Sequence, residues 1–497
     1  MTRPLLVSDE DSLLIGWGSA DLTPAQPVQL AGQFHVRVSE GVLDPVTVTA
    51  LALSDDNDPH ACAVLVSCDL LAFPDSLRRA VRQRLAVSLP DLDLAVVVFS
   101  ATHTHTAPEV RLADEYAKTG GGISSSGNCV ELPAMLERDY EAFAAGRIAQ
   151  AVADAWAARA PGTISYGLGN AVVGHNRRSC TYGGESCMYG DTSAADFSHI
   201  EGGEDPGVNI LATWDATGQI TGLVVNVACP AQVGELLFKI SADYWHETRV
   251  ELRRRFGEKL FVLPQCSAAG DQSPHLQIGK AAEERMERLA GRTPRQEIAA
   301  RIADAVSAVL PVLTQVRDGR PVLRHKTASV QLPWRPLSDA DLQTAQADVD
   351  RLRQEYERLR RELEANPVAR REPRWYVPVT GAYRMMKWQE CVLNRPTIQR
   401  EVPRLPVEMH VVRVGDVVFA SNPFELFLDF GLQIKARSLA VQTFVVQLAG
   451  GGTYVPTARS LAGNSYGAIP ASTPVGPEGG RVLVDWTVQT IRSLWKD

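Results

Sequence analysis

The sequence predicts an α/β fold of mixed β-sheets with flanking helices, and three observations predict it. Leu94 to Phe99 and Leu260 to Pro264 are short continuous apolar runs, the length of strands covered on both faces, and each ends in a polar loop. Val46–Leu53 with Ala63–Ser67, and Val208–Trp214 with Ile220–Ala228, read as hairpins because Asp55-Asp-Asn-Asp-Pro59 and Asp215-Ala-Thr-Gly218 supply turn residues between β-branched runs. Segments 75–87, 143–158 and 338–365 instead repeat apolar residues at helical spacing. With 497 residues, 45% hydrophobic and 22% charged, the chain can bury a large core.

Composition narrows the function classes. A net charge of −8 without a dense Lys/Arg stripe gives no electrostatic reason for nucleic acid or an anionic membrane as partner, which leaves a small molecule. Eight cysteines without C-x-x-C spacing point to reduced core residues rather than a zinc ribbon or a disulfide scaffold. Neither the start of the chain nor any later run is apolar enough for a signal peptide or a membrane span, so a cytoplasmic protein is expected.

In chain order, the strand from Leu94 delivers Ser100-Ala-Thr-His103-Thr-His105-Thr-Ala-Pro108. Alternation along an extended segment would point both imidazoles to one side, as two ligands, or a ligand and an acid/base partner, require. Gly120 to Gly127 is a loop suited to a lid or a surface excursion. Next come Arg177 and Arg178, where a guanidinium can hold a carboxylate or an amide oxygen, and a polar Gly/Ser/Asp loop over 183–207. The second hairpin ends in Cys229-Pro230, and a helix opening near Ser241 carries His246 in its first turn. Asp271 and Ser273 lie in a Gly/Pro-punctuated turn, where capping of backbone N–H groups is the preferred reading. No G-x-S-x-G elbow placed after an apolar strand run supports a serine hydrolase.

From Ser338 a seam of Leu342, Ala345, Val349, Leu352, Tyr356, Leu359 and Leu363 marks a long amphipathic helix, capped by Ser338 with Asp341 and stopped by Pro367. The helix can lie on its own domain or pair with a second subunit as a homo-oligomer. An aromatic and basic return over 374–389 leads to a hairpin, 409–414 with 417–420. Glu425 is then placed at the start of a helix running to Ser438. Finally Gly450 to Gly452 permits close backbone approach to a ligand and presents Tyr454.

These loops, in this order, resemble the catalytic domain of neutral ceramidases, zinc-dependent amidases that hydrolyse N-acyl sphingosine. The carrying residues are Gly41-Val-Leu-Asp-Pro45, Ser100 to Pro108, Asn176-Arg-Arg-Ser179, Ala268-Ala-Gly-Asp-Gln-Ser-Pro274, Pro423-Phe-Glu425 and Gly452-Thr-Tyr-Val-Pro-Thr457. The resemblance implies one ceramidase-like catalytic domain over 1–497, with a helical insertion at 338–390. It implies zinc on His103, Glu425 and Tyr454, with His105 and Arg177 handling the scissile group and Tyr466 as a further site tyrosine. Cys229 stands where the family keeps its second zinc histidine. Either its thiolate is the fourth ligand, or Cys229 is inert and Glu235, Asp243 or His246 completes the sphere.

The expected function is therefore zinc-dependent hydrolysis of an amide in a soluble small N-acyl compound. The catalytic set is His105, Arg177 and Asp271, the substrate-binding set Tyr466, His246 and Arg178, and the metal set His103, Cys229, Glu425 and Tyr454. The chain ends without the family's C-terminal β-sandwich, and this weighs against a lipid substrate. A hydrolase of ester or glycosidic bonds, and a binding protein that has lost its metal, are the alternatives.

Overall fold

A computed structural model describes residues 12–110 and 129–496. The Gly120 to Gly127 loop lies outside the described residues. Eight strands form the larger sheet: β1 (Leu13–Asp21), β2 (Thr47–Asp55), β3 (Cys62–Cys68), β4 (Val97–Ala101), β5 (Ala160–Asn170), β6 (Gly207–Asp215), β7 (Ile220–Val227) and β8 (Phe261–Cys266). Their order is β8-β7-β6-β5-β1-β2-β3-β4. A second sheet joins β9 (Leu323–Leu332), β10 (Leu405–Val414), β11 (Val417–Ser421) and β12 (Gln442–Val446).

The helices are α1 (Asp75–Ser88), α2 (Glu137–Ala157), α3 (Tyr244–Phe256), α4 (Lys280–Ala290), α5 (Pro294–Leu313), α6 (Asp339–Ala365), α7 (Val377–Glu401), α8 (Leu428–Arg437) and α9 (Pro477–Leu494). Where a helix returns the chain between neighbouring strands, the strands run parallel: β3 and β4 around α1, β7 and β8 around α3, β11 and β12 around α8. The other neighbours run antiparallel, among them the three hairpins read from the sequence. Each parallel unit ends in a long loop, and those loops carry the site.

The sheets pack face to face through Leu51, Leu53, Val98, Leu211, Val224 and Leu263 on one side, and Val412, Phe419 and Phe444 on the other. Helices α1 and α2 cover one half of the larger sheet's outer face, and α3 and α5 cover the other. Helices α8 and α9 cover the smaller sheet. The larger sheet curls until its ends meet, the Ser67 hydroxyl donating to the Pro264 carbonyl. That curl brings the loop after β4 beside the loops after β7 and β8.

Local differences from the sequence reading have physical causes. Leu94–Val96 is a 3-10 turn capped by Asp93, so strand β4 starts only at Val97. The stretch 183–207 contains two short strands, Ser186–Met188 and Phe197–Ile200, which pair with Arg178–Thr181. Its polar composition concealed them. The α6 cap forms as read, Ser338 Oγ accepting from the Asp341 amide at 3.1 Å. Its seam lies on its own chain, with Ala345, Val349 and Leu352 buried against Met386, Trp388 and Val392 of α7. Helix α7 runs well past residue 390; Pro378 in its first turn and Pro396 inside it hid the periodicity. All eight cysteines are free. Among the described residues no helix is long and apolar enough to cross a membrane.

Between the sheets and α1 lies a buried polar chain. His325 Nε2 meets His410 Nδ1 at 3.0 Å, His410 Nε2 meets Glu408 at 2.9 Å, and Glu408 pairs with Arg78 at 2.7 Å. Burial, then the neighbouring His410, lowers the His325 pKa to about 3. A histidine depressed on folding contributes stability above its unfolded value and loses it as pH falls towards the folded value. We expect the His325 contribution to fall by about 2 kcal/mol between pH 7 and pH 5. Urea midpoints at the two pH values check this, and the loss should shrink in His325→Gln. An equal loss in that variant would refute it.

Candidate active site

The loop after β4 is pinned by its threonines. Thr104 and Thr106 donate to the Ser241 carbonyl at 2.8 and 2.9 Å. Asp44 in turn accepts from the Ser241 hydroxyl and the Ala242 amide, both at 2.7 Å, and pairs with Arg295 at 2.8 Å. The Gly41 to Pro45 segment therefore braces the histidine loop. The imidazoles meet by a different route from the alternation read in the sequence. His103 is at φ 65, a left-handed conformation that a non-glycine residue rarely holds. This turn brings the two Nε2 atoms to 3.3 Å.

Glu425 sits on a two-residue strand with Leu426, before the helix rather than in it, and pairs in parallel with Tyr454–Val455. Glu425 Oε2 stands 3.2 Å from His103 Nε2. Arg177 donates to the Tyr454 hydroxyl at 3.1 Å and to the Gly270 carbonyl at 2.9 Å. Burial pushes the Glu425 carboxyl up, but His103, Arg177 and the Tyr454 hydroxyl outweigh it and hold the group below its ordinary value. Burial, reinforced by Glu425, drives Tyr454 well above the usual phenol value, and Tyr466 rises to about 12 for the same two reasons. Burial, then His103, Arg37, Arg177 and His275, keeps His105 well below the ordinary imidazole value.

His103, His105, Glu425, Tyr454, Arg177 and Tyr466 thus form one cluster, the two tyrosine rings 5.5 Å apart. Four sequence-assigned residues do other work. The Cys229 thiol donates to the Val173 carbonyl at 3.2 Å within the apolar core under α3 and α5, and burial keeps it protonated. No described contact joins Cys229 to His103 or Glu425. Asp271 accepts from Asn176 and from the Leu428 amide, both at 2.9 Å, and its backbone carbonyl accepts from the Arg177 amide at 3.0 Å; it is a loop brace. Arg178 is buried against Glu201 and donates to the Tyr466 and Ser460 carbonyls, and this spends its donors inside the fold. His246 is half-buried on the first turn of α3, and no described contact joins it to the cluster. The Gly450 to Gly452 run packs on the Pro423 turn instead of a ligand; a Cβ on Gly452 would lie 2.8 Å from the Pro423 carbonyl oxygen.

Sequence reasoning missed Arg37 as a site residue. Its buried guanidinium donates to the backbone carbonyls of Ala31, His105, Glu235 and Leu237, tying the histidine loop to the loop after β7. Glu235 then faces His105 Nδ1 and His275 Nε2, each at 3.6 Å. Nothing in the local pattern around Arg37 signals this, because carbonyls leave no sequence signature. Gly32, at φ 95, lets the His105 ring approach; an added Cβ would lie 2.5 Å from His105 Cγ. We expect Gly32→Ala to lower kcat about tenfold by displacing that ring, on the scale that small misplacements cost. An unchanged kcat would show that the ring position is immaterial.

Comparison with solved structures matches this arrangement of sheets. A neutral ceramidase from Pseudomonas aeruginosa superposes with a TM-score of 0.65, covering 98% of this chain and 76% of that one at 16% identity. The fold is neutral-ceramidase-like. A ceramidase complexed with C2 gives a TM-score of 0.64, with 98% and 75% coverage and 16% identity. No family model and no curated protein matches the chain. The ceramidase-like fold is thus carried by sheet order and loop placement, at an identity too low to transfer chemistry.

Proposed function

We propose that the protein is a zinc-dependent hydrolase that cleaves the amide bond of a small N-acyl compound. The observation that carries this reading is His103 Nε2 facing Glu425 Oε2 at 3.2 Å. His103 Nδ1 must donate to the Leu71 carbonyl at 2.8 Å, since a carbonyl only accepts, and this leaves Nε2 as a bare lone pair in the neutral ring. A lone pair and a carboxylate oxygen in a buried site need a shared proton or cation between them. An imidazole oriented by a backbone carbonyl and an ionised carboxylate, with the Tyr454 hydroxyl alongside, are donors of the kinds that zinc takes. His103, Glu425 and Tyr454 would hold it. When bound, zinc polarises a carbonyl and lowers the pKa of water to about 7.

The residues of the chain supply the rest. His105, neutral through burial and with its Nε2 at 3.3 Å from His103 Nε2, is the imidazole placed to pass a proton to the departing amine. Arg177 keeps its positive charge in the buried cluster, where a guanidinium stabilises the oxyanion of a tetrahedral intermediate. Because the solved structures that share this fold are ceramidases, amide hydrolysis is the first chemistry to test, ahead of ester and glycosidic bonds. The test is protein purified without chelator, its metal content measured, then assayed on matched amide, ester and glycoside libraries with and without a zinc chelator. Amide turnover lost on chelation and restored by zinc is expected. Turnover indifferent to chelation, or less than about half an equivalent of metal, overturns the reading.

A further inference from the structure

A cleft of about 430 Å³ opens beside the cluster, and Glu235 belongs to both. Its charge balance is uneven. Glu283 and Glu297 in its wall share Arg301, at 2.8 and 3.1 Å. Glu284 and Glu287 of α4 also line it and have no Lys or Arg within ion-pair distance among the described residues. Burial and the neighbouring Glu283 and Glu297 push the Glu287 carboxyl up, against the opposing pull of Arg301.

Two further features of this wall are left unexplained by packing. Gln277 is only 4% exposed, lines the cleft, and donates through Nε2 to the His275 carbonyl at 2.7 Å. Its Oε1 has no partner, which is a cost unless a donor arrives. Helix α4 is also inverted. Lys280, Glu283, Glu284 and Glu287, at helical spacing, face the cleft, whereas Met286 and Leu289 are 57% and 66% exposed. Packing alone would turn the apolar side inward. Val173, Val233, Pro274 and Ile298 complete the wall with surface suited to methylenes.

We propose that this cleft binds an aliphatic ammonium carried on the substrate, so that the favoured N-acyl compounds are cationic amines rather than neutral amides. The substrate assignment rests on the hydrolase reading above; the binding of an ammonium does not. No group of three His, Cys, Asp or Glu side chains among the described residues is arranged to hold a metal ion, and this favours an organic cation in the cleft. The ammonium would be drawn by the Glu284 and Glu287 charges and find an acceptor in the unpartnered Gln277 Oε1, while the methylenes lie on the apolar wall.

The test is calorimetric binding of N-acetyl-1,6-diaminohexane and of its neutral counterpart N-acetylhexylamine to the full-length metal-loaded protein, with turnover of both measured in parallel. The cationic probe should bind about tenfold more tightly, with an affinity that falls as salt rises. The double variant Glu284→Gln and Glu287→Gln, on an exposed helix, should remove that preference. Met286→Ala, on the outward face of the same helix, should preserve it. Equal binding of the two probes, a preference kept by the double variant, or one lost in Met286→Ala overturns the proposal. Cation-selective binding without turnover supports the cleft and refutes the hydrolase reading. Turnover of both probes without selectivity does the reverse.

Discussion

Glu425→Gln is expected to lower kcat/KM by about a thousandfold, close to 4 kcal/mol of transition-state stabilisation, while the protein still folds. The amide is nearly isosteric and keeps the packing of the two-residue strand against Tyr454–Val455. What it loses is the negative charge 3.2 Å from His103 Nε2. Without that charge the His103 imidazole no longer faces a carboxylate, and the donor set for a cation drops to one imidazole and one phenol. Bound zinc should fall to less than about a third of the unsubstituted level, since each ligand carries much of the affinity. Metal analysis and kcat/KM on the best amide substrate check both halves. Full metal content with activity within tenfold of the unsubstituted protein would remove Glu425 from the mechanism. Asp271→Asn makes the useful contrast. Its carboxylate holds Asn176 and the Leu428 amide, so its loss should appear in stability before it appears in metal content.

Glu425 and His103 were legible because both stand just past the ends of strands whose apolar runs are unmistakable, and because chain order matched the family resemblance. The sequence could not tell which way a side chain at such a position points. Cys229 occupies the position where the resemblance expects a ligand, yet its thiol turns into the apolar core and bonds Val173. Arg178 differs from Arg177 by one residue, and in extended chain one residue reverses the face: Arg177 reaches Tyr454 while Arg178 reaches Glu201. Arg37 was beyond reach for another reason. It acts on carbonyls 68 and 198 residues away, at His105 and Glu235, and such clamps are properties of the fold. The elements overlooked, α7 and the two short strands within 183–207, are those whose prolines or polar composition break the period that marks a helix or strand.

Arg177→Lys separates charge from geometry at the same site. The guanidinium is buried, and one of its nitrogens already serves both the Gly270 carbonyl and the Tyr454 hydroxyl. Its remaining donors are fixed in plane by those two anchors, and that rigidity lets them meet an oxyanion without reorganising. A lysine keeps the charge near Glu425 but presents a single ammonium, which cannot hold both anchors and still face a developing negative oxygen. We expect kcat to fall about a hundredfold or more, with KM within about threefold, because an oxyanion donor is felt in the transition state and not in the ground state. Zinc content should stay at the unsubstituted level, in contrast to Glu425→Gln, since Arg177 donates and cannot ligate. Guanidinium added to Arg177→Ala should restore part of kcat if the lost group acts on the reaction rather than on the loop. A rise in KM with kcat unchanged would instead make Arg177 a substrate anchor. Loss of zinc in Arg177→Lys would show that it works by holding Tyr454 in place.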